Sequence, residues 1–117
     1  MISTAANNLA HRQIILDLTI RTLERESKHL GELKMQRAFE MWIDEKIKVL
    51  HADFKKVKGE LGRMGAKVHP GKSVEGFTIY TVTEQRREFD LKYNNIALKN
   101  WCEEEVKRVM GLEYRTV

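Results

Sequence analysis

The feature that most constrains this chain is a series of apolar residues, Phe39, Ile43, Ile47, Leu50, Phe54, Val57, Leu61 and Met64, spaced 4, 4, 3, 4, 3, 4 and 3 apart. A strand would scatter such a series over both faces, whereas an α-helix lines it up on one. The stripe runs for about seven turns at 3.6 residues per turn. Most of a helix's stability comes from burying such a face, so this one demands a cover of similar length. A second helix of the same chain supplies part of it, and a second subunit is expected to supply the rest, which makes the protein a homodimer.

The covering helix lies upstream. Leu9, Leu16, Ile20, Leu23 and Leu30 fall at helical spacing, widened by Ile14, Ile15 and Leu18, with Ser3 or Thr4 as the N-cap. Gly31 then breaks the phase, because Lys34 and Arg37 stand where apolar residues are due. A helix end with Gly31 at C′ explains this, and one kinked helix over residues 4–64 is the alternative.

Beyond Gly65, which suits the C′ position of the long helix, the period changes from 3.6 to 2. Ala66–His69 is a short strand, and His69-Pro70-Gly71-Lys72 has Pro and Gly at the centre of a type II turn. Residues 76–83 (GFTIYTVT) and 87–93 (REFDLKY) are β-branched, aromatic and alternating, and read as two paired strands. A loop centred on Gln85 that is longer than two residues would pair Ile79 with Leu91 and Phe77 with Tyr93, giving one continuous apolar face. Asn94 or Asn95 caps a last helix over 95–110, with stripe residues Leu98, Trp101, Cys102, Val106, Val109 and Met110, ended by Gly111. The expected architecture is α+β: two long N-terminal helices, a small antiparallel sheet of two to three strands over 66–93, and a C-terminal helix.

At 117 residues, with one proline and no repeat, the chain is expected to form a single domain over 1–117. It has no apolar run long enough for a bilayer, no secretory-type leader in MISTAANNLAHRQ, and a lone cysteine, Cys102. These features point to a soluble, cytoplasmic protein without a membrane role.

The charge is uneven. Residues 46–74 hold eight basic and two acidic side chains, a net of +6, while 1–45 and 75–117 each carry −1, so the whole excess of +4 arises there. Gly59–Gly62 and Gly62–Gly65 both fit the GxxG pattern that clamps a nucleic-acid backbone, but the seam runs through them at Leu61 and Met64, so the segment stays helical. The order helix, three strands, helix over residues 35–110 is also that of double-stranded-RNA-binding domains. Their last helix opens on basic residues, whereas this one holds Glu103-Glu104-Glu105, carboxylates expected to favour the positive end of the helix dipole.

The lysines keep their interest. Lys55, Lys56, Lys58, Arg63, Lys67 and Lys72 form a basic patch suited to sequence-independent phosphate contact. Catalysis finds no support: His11, His29, His51 and His69 are scattered, no metal-ligand spacing occurs, and Cys102 reads as core. No metal and no cofactor are expected. The expected function is that of a small, non-enzymatic regulatory protein that binds nucleic acid or another polyanion. The alternative is a protein-interaction module, an adaptor or inhibitor that uses its helical seam or a sheet edge.

Overall fold

A computed structural model describes residues 4–32 and 34–112; Ser3, one of the two N-cap candidates, lies outside them. The element order is α1 (Thr4–Ser27), a 3-10 turn (Leu30–Glu32), α2 (Gln36–Arg63), β1 (Ala66–Val68), β2 (Lys72–Val74), β3 (Phe77–Glu84), β4 (Arg87–Asn94) and α3 (Asn95–Val109). The α+β architecture expected from the pattern is therefore present, with all strand pairs antiparallel.

The central element is α1. Ala6, Ala10, Ile14, Ile15, Leu16, Thr19, Ile20 and Leu23 are all buried, and they spread around the helix because it is covered from two sides. Leu16, Ile20 and Leu23 meet Ile43, Leu50 and Val109 in a three-helix core, joined by Ile47, Phe54 and Val57. Ile14 and Ile15 face the sheet, against Tyr80, Tyr93 and Leu98. The seam on α2 is thus largely covered within one chain, and it does not need the second subunit that its length suggested. Phe39, at the N-terminal end of the seam, stays substantially exposed.

The first helix ends earlier than its apolar pattern. It stops at Ser27, where Lys28 and His29 amides donate to the carbonyls of Arg25 and Glu26 and tighten the last turn. Gly31 falls in the 3-10 turn rather than at C′, and it is not among the residues with positive φ. Between Ser27 and Gln36 the chain reverses, and residues of α1 and α2 meet in one core, so the two form a hairpin and not one kinked helix. The other two glycine stops behave as the sequence indicates: Gly65 and Gly111 follow the C-caps Met64 and Met110 at φ +70 and +76. The Leu112 amide reaches back to the Lys107 carbonyl, completing a Schellman motif on α3. At its other end Asn94 accepts a hydrogen bond from the Ile96 amide at 2.8 Å.

In the sheet the strand register differs from the sequence expectation. The β3–β4 loop has two residues, Gln85 and Arg86, and Gln85 adopts φ +58 while its amide donates to the Gly65 carbonyl. That anchor offsets the strain of a non-glycine residue there. Tyr80 consequently faces Leu91, Thr78 faces Tyr93, and Val82 faces Phe89. Tyr80, Val82 and Tyr93 make the buried face, while Phe77 and Ile79 point away from it.

The type II turn at 69–72 is also absent. Strands β1 and β2 lie end to end along one edge of β3, so the four strands make a sheet three strands wide. Between the pairs Val68–Val82 and Lys72–Ile79, three residues face two, which makes His69-Pro70-Gly71 a bulge. Pro70, lacking an N–H, is tolerated at such an edge. The tight turn is Glu75-Gly76, with φ +46 and +82, the signature of a type I′ hairpin.

Gly71 has a packing reason to be glycine. A Cβ there would stand 2.7–2.8 Å from the Tyr80 ring, which is buried and held edge-on to Tyr93 at 6.0 Å. Gly71→Ala is expected to destabilise the fold by about 1–3 kcal/mol through forced displacement of that ring. Urea unfolding checks it, and a shift in midpoint no larger than that of an alanine substitution at exposed Ser73 would refute it.

Candidate functional site

The structure places the predicted basic residues on two surfaces. Lys55, Lys56, Lys58 and Arg63 are exposed on the C-terminal half of α2, with Lys58 at the edge of the covered seam, its ammonium 6.0 Å from the Phe54 ring. Lys67 and Lys72 are exposed on β1 and β2. Strand alternation sends them to the outer face of the sheet, away from α1: Lys67 pairs with Thr83 and Lys72 with Ile79, and directly opposite residues share a face. One continuous stripe is therefore not formed. The sheet instead adds a residue that the sequence reading missed, Lys92, which pairs with Ile79 and sits 4.4 Å above the Phe77 ring. Its signal lay in the strand register, which the sequence pattern gave one residue out.

These cations share one electrostatic property. Arg12, Arg21, Lys48, Lys107 and Arg108 all pair with carboxylates. Among the described residues, none of Lys55, Lys56, Lys58, Arg63, Lys67 and Lys72 has such a partner. Their field is uncompensated at close range, which is the condition for attracting a polyanion.

A second group of polar residues joins α1 to β4 and α3. His11 Nδ1 lies 2.9 Å from the Tyr93 hydroxyl, and its ring meets Trp101 edge-on at 4.6 Å. Beside it Arg12 forms a two-pronged ion pair with Glu105, whose carboxylate also accepts from Arg108 Nε at 2.8 Å. Arg108 continues to Asp53 on α2 at 3.2 Å. Glu105 is buried and sits well inside α3, so it does not serve the helix dipole as the run Glu103-Glu104-Glu105 suggested.

The electrostatics of this group are those of a clasp between α1, β4 and α3. Burial, with help from the Arg12 charge, pushes the His11 imidazole below its ordinary value, and burial chiefly pushes Tyr93 up to about 12. A weakened base beside a weakened acid has little drive for proton transfer. Cys102 is half-buried on α3, its thiol raised by burial, and so is not an activated nucleophile. Among the described residues no group of three or more His, Cys, Asp or Glu side chains is placed to hold a metal ion, and no described helix is long and apolar enough to cross a membrane. A cleft of about 440 Å³ runs between α1 and the bulge, past Gln13, Asp17, Arg21, His69 and Tyr80. It is open and mixed in polarity, and the ion pair of Asp17 with Arg21 at 3.2 Å already occupies its charged wall.

No curated protein and no solved structure matches the chain. A family model does, described as YhjD protein and aligned over residues 1–114. Spanning nearly the whole sequence, that match shows that the chain belongs to the YhjD protein family.

Proposed function

We propose that the protein is a non-enzymatic binding protein of the cytoplasm that engages nucleic acid through its phosphates. The observation that supports this reading is that, among the described residues, six exposed cations, Lys55, Lys56, Lys58, Arg63, Lys67 and Lys72, have no acidic partner, whereas Arg12, Arg21, Lys48, Lys107 and Arg108 do. Phosphate contact needs such uncompensated charge and reads no sequence. The helix group, with four of the six, is the principal surface, and the sheet group with Lys92 is a secondary one.

Fluorescence anisotropy with labelled random-sequence duplex and single strand tests the proposal. Affinity should fall steeply with salt, and each phosphate contact removed should flatten the log–log salt slope by about 0.9 on duplex. Changing Lys55, Lys56, Lys58 and Arg63 to Glu together should abolish most binding, while Lys67→Glu with Lys72→Glu weakens it less. Binding that survives both sets unchanged would end this reading.

The second reading is a protein-interaction module, favoured by the apolar flank of α2 around Trp42. Under it the lysines merely steer encounters or solubilise, and the protein shows no retention on nucleic acid at physiological salt.

A further inference from the structure

The covered seam of α2 leaves a different apolar line in water. Met35, Trp42 and Val49 stand seven residues apart, two turns each, and Phe39 lies one turn from Met35 on the same flank. Phe39 is 42% exposed, Trp42 45%, Val49 47% and Met35 70%. Large aromatics carry about 150–250 Å² each, so with Met41 at the border the flank exposes roughly 450 Å² of apolar surface. A standard interface takes about 800 Å² from each partner, a little over half of it non-polar. The flank supplies about that share.

Charge selects the occupant and its direction. Residues 34–49 hold four basic side chains (Lys34, Arg37, Lys46, Lys48) and three acidic ones (Glu40, Asp44, Glu45), a net of only +1, so two copies of this half meet with little repulsion. Residues 50–72 hold six basic against two acidic, and a parallel pairing would set these two positive ends side by side. An antiparallel pairing centred on Trp42 sends them to opposite ends. It also makes the apolar line self-complementary, as a two-fold interface requires, because Met35 and Val49 are equidistant from Trp42.

We propose that this flank is the homodimer interface: two α2 helices cross antiparallel, Trp42 meets Trp42 of the partner subunit, and Met35 meets the partner subunit's Val49. The contacts are made by residues other than the basic patch, whose charge sets only the direction, so the pairing stands whether or not the protein binds nucleic acid. In the dimer the two basic segments lie at opposite ends of the paired helices.

The test combines solution mass with cross-linking. Light scattering over the micromolar range should give twice the chain mass for the wild type and a single chain for Trp42→Glu, with unchanged far-ultraviolet circular dichroism showing that the variant is folded. In a Cys102→Ala background, mild oxidation should link Trp42→Cys to itself. It should also link a mixture of Met35→Cys and Val49→Cys chains, but not Met35→Cys alone. A wild type that stays monomeric leaves the flank to a different protein and overturns the proposal. So does a Trp42→Glu chain that remains dimeric, or self-linking of Met35→Cys, the mark of a parallel pair.

Discussion

Leu16→Ala is expected to lower the stability of the protein by about 3 kcal/mol, within the 2–5 kcal/mol range of buried leucine deletions. The side chain is fully buried, at the level of α1 where the helical core and the sheet core lie back to back. Leu16 meets the helices, while its neighbours Ile14 and Ile15 meet Tyr80 and Tyr93, so the backbone has little room to shift and close a cavity. Alanine is also the better helix former, so any loss reflects removed contacts and not a weakened helix. Since small domains are stable by about 5–15 kcal/mol, the change should move the urea midpoint far. Ile96→Ala, at an exposed position of α3 outside the proposed interface, is the control and should stay within about 0.5 kcal/mol. Equal effects at the two positions would mean that α1 is not the centre of the fold.

How much of this was legible beforehand depends on what each residue's position obeys. The long seam of α2, the stops at Gly65 and Gly111 and the helix 95–110 follow from helical periodicity and backbone freedom, both local properties. The end of α1 was misplaced at Gly31 because Leu30 keeps the apolar phase after the hydrogen bonding has stopped at Ser27. The β3–β4 register went wrong for a tertiary reason: Gln85 tolerates its positive φ by donating to Gly65, a residue twenty positions away. No local propensity contains that bond.

The candidate site was legible in composition and not in arrangement. Six cations were identified, and all six are exposed. Their division between α2 and the outer face of the sheet required the turn at Gly65, and the addition of Lys92 required the correct register. In sequence His11 reads as an isolated histidine and Glu105 as part of an acidic run, and Arg12 does not stand out, because Arg12 and Glu105 are 93 positions apart and only the packing of α3 on α1 brings them together. The apolar flank around Trp42 was hidden differently. Trp42 stands beside the seam in sequence, and only the placement of α1 and α3 decides which side of α2 is covered.

Glu105→Gln should cost about 1–3 kcal/mol at neutral pH, the usual range for hydrogen bonds to a charged group, and less than a fully buried pair would lose because both arginines reach solvent. The carboxylate is the junction through which Arg12 of α1 and Arg108 of α3 are held, and Arg108 extends the link to Asp53 of α2. Burial alone would raise its pKa, but the hydrogen bonds from Arg12 and Arg108 and their charges outweigh this and hold it below the ordinary 4.5. A depressed carboxylate stabilises the folded state above the unfolded value, and that contribution is lost as pH falls from about 4.5 through the folded value. The difference in unfolding free energy between the wild type and Glu105→Gln should therefore be constant near neutrality and shrink on acidification below about pH 4.5. His11, also depressed, acts in the same direction from 6.5 downward, but it is present in both proteins and cancels in the difference. Urea unfolding at a series of pH values measures this directly. A difference that persists unchanged into strong acid would mean that Glu105 is held by its shape and not by its charge.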